Sequence, residues 1–556
     1  MKQDNKILPL TILGAVISII FSSITAYILV FSKKTVVNLP VGAEVIPKDI
    51  MMTLHISTDS TQWQKLEKFG TPKSKTAFQK SLGQLRDRFL TTYGYNFQRD
   101  IQPWVGKEVA IAFLRKSTLE PTNLTTPEAS PSPPAQQATM VVLPIADPVA
   151  AKQVLDKLRS PKEGKLVKRT YRGIEITETE EVPNQDISVV ALGNKFLVVT
   201  NSPMAINRAI DIYKGDQSLE KAPGYTAVME RLEASAPFAQ VYVNVPIAAA
   251  YTSSKSITPV SEENLKQLED NQGVAATLSI VSEGIDLKAI SWLKPNSQKK
   301  FSVENNATGM LSLVPENALM MISGSNLQQM WSNYAKGAAA NPFVPINPDT
   351  LRKAVKTSTE MDLDQEFINW MAGEYSLSLL PIPKDKKQLE KFSAGFVFMV
   401  KASDRRAAEK SLKKLDEAMK KREFEVGEAF ASGKPVLKWT SPFGGFSVIR
   451  GWLNGNVVFF TLGGSVENQI LPAPTTSMVE SSVLQETLPF DSKPFHGNFF
   501  IDISRTFNPK NLSIPQLPAN QKIWLDGMES IGVTSIVHNS RTTDYDVFVK
   551  LKKQKL

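Results

Sequence analysis

The feature that most limits how this chain can fold is that it repeats itself. Val45-Ile-Pro-Lys-Asp-Ile-Met-Met-Thr-Leu is echoed by Leu313-Val-Pro-Glu-Asn-Ala-Leu-Met-Met-Ile. Phe97-Gln-Arg-Asp-Ile-Gln-Pro-Trp-Val-Gly-Lys-Glu returns as Leu363-Asp-Gln-Glu-Phe-Ile-Asn-Trp-Met-Ala-Gly-Glu, which sets Trp104 over Trp370 and Glu108 over Glu374. Asp147-Pro-Val-Ala-Ala-Lys-Gln-Val matches Asp404-Arg-Arg-Ala-Ala-Glu-Lys-Ser, and Leu192-Gly-Asn-Lys-Phe-Leu-Val-Val-Thr matches Leu453-Asn-Gly-Asn-Val-Val-Phe-Phe-Thr. Four matches in one order, spaced alike to within a few loop residues, predict two homologous units, 41–293 and 308–553, joined by the polar stretch 294–307.

Each unit reads as α+β. Short apolar runs such as Val109-Ala-Ile-Ala-Phe-Leu and Ala394-Gly-Phe-Val-Phe-Met-Val have strand length. They precede segments at helical spacing, with Ala151, Val154, Leu155 and Leu158 on one face and Ala408, Leu412, Leu415 and Met419 on its counterpart. Hairpins follow through Gly193-Asn194 and Asn454-Gly455-Asn456. Strand hairpins dominate, so the expectation is mostly antiparallel sheet with helices packed on one face. The Pro-rich run 121–137 resembles an interdomain linker in composition, but the repeat places it as an insertion between two strands of one unit.

Ahead of the units, Ile7 to Phe31 contains no Asp, Glu, Lys, Arg or His. As a helix rising about 1.5 Å per residue it would reach roughly 37 Å, enough to cross a hydrocarbon core of about 30 Å. A cleaved signal peptide has an apolar core of only about 7 to 15 residues, so the run is read as an uncleaved anchor. Residues 1–6 then form a short cytoplasmic end and 32–40 a juxtamembrane linker. The flanking lysines, Lys2 and Lys6 against Lys33 and Lys34, nearly balance. A large body behind an amino-terminal anchor is the usual signal-anchor arrangement, which predicts a single-pass protein with its body outside the cytoplasm, on the periplasmic or thylakoid-lumen side.

Composition excludes several chemistries. The chain of 556 residues has no cysteine, which removes disulfides and thiolate metal sites, and a lipid-modified cysteine with them. The net charge of +9 is partly local, with Lys550, Lys552, Lys553 and Lys555 near a basic end at 554–556, and no aromatic-basic platform points to nucleic acid. Of the three histidines, His55, His496 and His538, none lies near another in sequence, and they read as surface or strand residues. No HExxH, CxxC, GxSxG or Walker-type run occurs, and no cofactor or metal is expected. The glycine pairs Gly444-Gly445 and Gly463-Gly464 read as turns. Glu178, Glu180 and Glu181 lie close together without a defined geometry. The basic helix at 404–423 reads as a solvated face, because acids are interspersed among its lysines and arginines. The candidate ligand-facing positions are Trp104, Glu108, Trp370 and Glu374; the ordinary alternative makes each Trp a core anchor and each Glu the first residue of a strand.

With these residues on the page, the chain resembles the membrane-anchored bacterial proteins, common in cyanobacteria, grouped as domain of unknown function 3352. The likeness rests on the amino-terminal span, the Val-Ile-Pro start of the body, the Trp-x-x-x-Glu segment and the Leu-Gly-Asn-Lys-Phe-Leu-Val-Val-Thr hairpin. It implies an envelope protein without assigned chemistry. The leading expectation is a non-catalytic binding or scaffolding module held to the bilayer by residues 7–31, with an envelope protein or a ligand as partner. The rivals are an anchored extracytoplasmic hydrolase acting on glycan, peptide or lipid, with a carboxylate pair between the units, and a carrier of apolar ligand or lipid.

Overall fold

The computed structural model describes residues 39–89, 95–115, 137–156, 165–180, 187–232, 234, 237–255, 270–338, 347–382, 393–444, 447–453, 455–463, 465–488, 494–508 and 518–553. The apolar run 7–31, residues 116–136 and the basic end 554–556 lie outside them. Among the described residues no helix is long and apolar enough to cross a membrane.

Among the described residues the first half of the chain supplies ten strands: β1 (Met52–Ser57), β2 (Glu108–Arg115), β3 (Gln137–Pro144), β4 (Lys165–Tyr171), β5 (Ile174–Glu180), β6 (Ser188–Leu192), β7 (Phe196–Thr200), β8 (Ala239–Asn244), β9 (Asn271–Val281) and β10 (Gly284–Leu293). The second half supplies β11 (Met320–Gly324), β12 (Tyr375–Pro381), β13 (Ala394–Lys401), β14 (Glu425–Ala431), β15 (Lys434–Thr440), β16 (Ser447–Trp452), β17 (Val457–Leu462), β18 (Gly497–Asp502), β19 (Met528–Asn539) and β20 (Thr542–Leu551).

All the strands join one open, wholly antiparallel sheet. Across the first half the spatial order is β4, β5, β6, β7, β3, β2, β1, β8, β9, β10. Across the second half it is β14, β15, β16, β17, β13, β12, β11, β18, β19, β20. The two orders correspond strand for strand. The halves meet where β10 pairs with β20, a ladder from Gly284 opposite Lys550 to Trp292 opposite Thr542, with Lys288 facing Asp546 at its middle.

Helices cover both faces of this sheet rather than the single face expected. On one face, Ala205, Ile206, Ala209 and Ile210 of the helix Pro203–Tyr213 pack with Ala110, Met140 and Val198 and with the lead-in residues Val45, Ile46 and Ile50. On the other, Ala151 of the helix Pro148–Leu155 packs with Trp104, Leu143 and Leu197. The second half repeats the division, with Leu484 of Ser482–Thr487 beside Phe459 and Val397, and Leu412 of Arg405–Lys421 beside Trp370 and Val458. The cause is visible in β2, Glu-Val-Ala-Ile-Ala-Phe-Leu-Arg, whose apolar residues occupy both sides of the pleat and so require cover on both.

The hairpins β4–β5 and β14–β15 were not anticipated from sequence, because Lys165-Leu-Val-Lys-Arg-Thr-Tyr mixes charge with apolar residues and resembles a loop. Their turns carry the signal instead. Arg172-Gly173 and Ser432-Gly433 all adopt positive φ, the geometry of a two-residue turn whose twist matches that of the flanking strands. Residues 116–136 connect the neighbouring strands β2 and β3.

Candidate functional site

The two Trp-x-x-x-Glu segments adopt one geometry. The Trp104 indole is 1% exposed and donates through Nε1 to the carbonyl of Asp100 at 2.7 Å; Trp370 is 2% exposed and donates likewise to Glu366 at 2.9 Å. Each Trp carbonyl also accepts the backbone N–H of the residue just ahead of the next helix cap, Ala146 and Ser403. The indoles sit in the clusters under the helices Pro148–Leu155 and Arg405–Lys421.

The glutamates turn to the opposite face. Glu108 begins β2, and its carboxyl meets the backbone N–H of Val41. Glu374 immediately precedes β12, and its Oε1 accepts the Met310 N–H at 3.1 Å. Gly309 lies so close that a Cβ there would stand 2.7 Å from Glu374 Oε2. Each carboxyl therefore fastens the lead-in segment of its own half, so Trp and Glu line no common cleft. Burial pushes Glu108 up to about 7, with the Val41 N–H pulling the other way. Burial also raises Glu374, against the N–H groups of Met310 and Gly309 and the charge of Lys401. The two acids stand at the starts of strands nine neighbours apart, roughly 43 Å along the sheet at about 4.8 Å per strand. A glycosidase pair needs about 5 to 10 Å.

Two of the three histidines are buried rather than at the surface. His55, 1% exposed on β1, places Nδ1 3.5 Å from Glu108 Oε1, and burial pushes its pKa down to about 3. His496, 2% exposed, faces the carbonyl of Glu304 through Nδ1, and burial lowers it too. His55 is the strand residue its sequence suggests and His496 stands just ahead of β18, but the burial of both was not legible, since an isolated histidine carries no local mark of it. Glu178 is committed to structure: burial draws it upward, but Arg169 and Ser188 hydrogen-bond it and leave it below the ordinary range. Gly444 and Gly463 have positive φ and serve turns.

The strand register places a second feature across the middle of the sheet. His55, Gln240, Thr277, Lys288, Asp546, Thr534, Asn498, Ser323 and Ser376 stand directly opposite one another on nine successive strands and share one face. The neighbouring row on the other face is apolar, running through Leu278, Leu287, Val547, Val533, Phe499 and Ile322. At the midpoint of the polar row is a cleft of about 130 Å³, whose wall includes Arg231, Lys288, Phe495, Thr534, Asp544 and Asp546. Arg231 Nη2 bonds both oxygens of Asp544, at 2.6 and 2.5 Å. A wider cleft of about 430 Å³ opens beside Trp331, which donates to Asp364 while the Arg352 guanidinium sits 5.5 Å from its ring centre. Arg352 Nε also bonds Asp364, at 2.6 Å. Among the described residues no group of three His, Cys, Asp or Glu side chains could hold a metal ion.

The architecture defines a class, an α+β protein on one open antiparallel sheet whose sequence-marked acids are tied to backbone. The chain belongs to the family described as "Protein of unknown function (DUF3352)", which matches over residues 10–551. No curated protein matches it. Among solved structures it is similar to "Structure of crystal form III of TP0453", at 11% identity and a TM-score of 0.25, covering 48% of this chain and 83% of that one. It is similar also to "Structure of crystal form IV of TP0453", at 11% identity and a TM-score of 0.25, covering 46% and 81%.

Proposed function

We propose that this is a membrane-tethered, non-catalytic binding or scaffolding protein, made by internal duplication and carrying its body outside the cytoplasm. The observation that carries the non-catalytic part is the commitment of Glu108 and Glu374 to the lead-in backbone, far apart along the sheet. That placement argues against the carboxylate pair a glycan hydrolase spanning the two halves would need. Duplication is supported by the sequence echoes and by the shared pairing order of the two sets of strands. Tethering is supported by the uncharged run 7–31. The carrier alternative finds little support, because the wider cleft is walled by the Arg352–Asp364 ion pair rather than by apolar side chains alone.

Two measurements test the proposal. Cell fractionation should recover the full-length chain with membranes, and removal of residues 1–31 should release it. Protease added to intact spheroplasts should degrade a carboxyl-terminal tag. A soluble full-length chain, or a tag protected until the cells are lysed, overturns the tether or its orientation. Turnover in a broad hydrolase screen, abolished by one substitution that leaves the fold intact, overturns the non-catalytic reading.

A further inference from the structure

We propose that the protein associates head to tail with copies of itself, the edge of β4 in one molecule pairing with the edge of β14 in the next. Among the described residues the sheet has 20 strands and is open. Among the described residues β4 pairs only with β5, and β14 only with β15, so each presents one unpaired row of N–H and C=O groups. Every neighbouring pair between them is antiparallel, and the number of steps is odd, so β4 and β14 run in opposite directions. A second copy added at either end therefore continues the antiparallel alternation without turning its faces over.

The turns define which groups point outward. In a two-residue hairpin the flanking residues, Tyr171 with Ile174 and Ala431 with Lys434, form a doubly hydrogen-bonded pair, and alternate residues follow suit. Leu166, Lys168 and Thr170 thus turn their backbone groups out from β4, and Val426, Glu428 and Phe430 turn theirs out from β14. Antiparallel pairing in full register sets Lys168 opposite Glu428, Leu166 opposite Phe430 and Thr170 opposite Val426. The ends therefore complement each other in charge and in apolar surface, and Phe430 is otherwise 76% exposed. Two β4 edges in the same register oppose Lys168 to Lys168, and two β14 edges oppose Glu428 to Glu428. Like charges directly opposite each other disfavour both. Lys168 already bonds Glu175 at 2.7 Å, but both side chains are well exposed, so that pair is easily exchanged. No ion pair engages Glu428 among the described residues.

One strand pairing buries less than the roughly 1,600 Å² of a standard stable interface, so the contact is weak in dilute solution. Confinement to a surface would raise its occupancy through effective concentration. The edge chemistry itself does not depend on the tether.

The absence of cysteine makes the test direct. Full-length chains carrying Leu166→Cys or Phe430→Cys are mixed, in detergent and after reconstitution into vesicles, and exposed to a mild oxidant. The mixed 166–430 disulfide should exceed by about tenfold the like-edge products, 166–170 from Leu166→Cys mixed with Thr170→Cys and 426–430 from Val426→Cys mixed with Phe430→Cys. Lys168→Glu in the first chain should remove it, and Glu428→Lys in the second should restore it. Like pairs in equal yield, indifference to charge reversal, or no cross-linked product in either preparation overturns the proposal.

Discussion

Glu108 and His55 oppose each other in their response to pH. Both are held neutral by burial, Glu108 by a pKa pushed up to about 7 and His55 by one pushed down to about 3. Because the folded pKa of Glu108 lies above its unfolded value, its contribution to stability is complete below about pH 4.5 and is lost as pH rises through about 7. The reverse holds for His55, whose contribution is complete above about pH 6.5 and is lost as pH falls toward 3. Between about pH 4.5 and 6.5 the two slopes largely cancel. Glu108→Gln removes one of them. Relative to the parent protein, this variant should gain on the order of 3 kcal/mol between pH 4.5 and 7.5, read from urea midpoints at each pH. A pH-independent difference between the two proteins would rule this out.

At the scale of an element, the helix Arg405–Lys421 reads in the sequence as a basic, solvated rod, and most of its charges do face outward. Asp416 does not. It is buried against β15 and β16, where Trp439 Nε1 donates to it at 3.0 Å and Arg450 Nε at 2.9 Å. Arg450→Met keeps the apolar stem but strands the carboxylate in a site without its cation. The expected loss is about 3 kcal/mol, and Asp416→Asn/Arg450→Met together should recover part of it. Equilibrium unfolding of the single and double variants measures both, and a neutral single substitution would contradict the buried pair. Lys414→Ala, whose ion pair with Glu366 is exposed, should change stability little.

For the whole molecule, the ladder between β10 and β20 makes one sheet from two halves. Gly284 guards that ladder: a Cβ there would stand 2.1 Å from the Val549 carbonyl, at a φ of 158°. Gly284→Ala should therefore cost about 3 kcal/mol and separate the unfolding of the halves into two transitions by calorimetry. One unshifted transition would show that the join tolerates the methyl group. A fragment ending at residue 307 exposes the β10 edge beside the apolar row of Ile285 and Leu287, and it should self-associate in light scattering where the full chain at equal concentration does less.

Much of the local structure was legible. Val109–Leu114, the face of Ala408, Leu412, Leu415 and Met419, and the Gly193-Asn194 turn announce themselves through apolar length, helical spacing and turn residues, which are properties of a few neighbouring positions. Legibility failed where the deciding partner is remote in sequence. Lys165–Tyr171 is a strand because it closes a tight turn and pairs with Ile174–Glu180, despite a loop-like composition. Trp104 and Glu108 look like one motif, yet Trp104 lies in the turn ahead of β2 and packs with Leu143 and Leu197, while the Val41 N–H holds Glu108 on the other face.

By itself the sequence determined the apolar strands, the amphipathic helices that follow them, the matched segments in the two halves and the uncharged run near the start, since each depends on short-range pattern. Only the tertiary structure decided that β10 meets β20, that helices cover both faces, and that a polar row crosses the middle of the sheet. The reason is physical: hydrogen-bond register between strands far apart in the chain depends on which edges remain open once local folding is done, and no nearby residue records it.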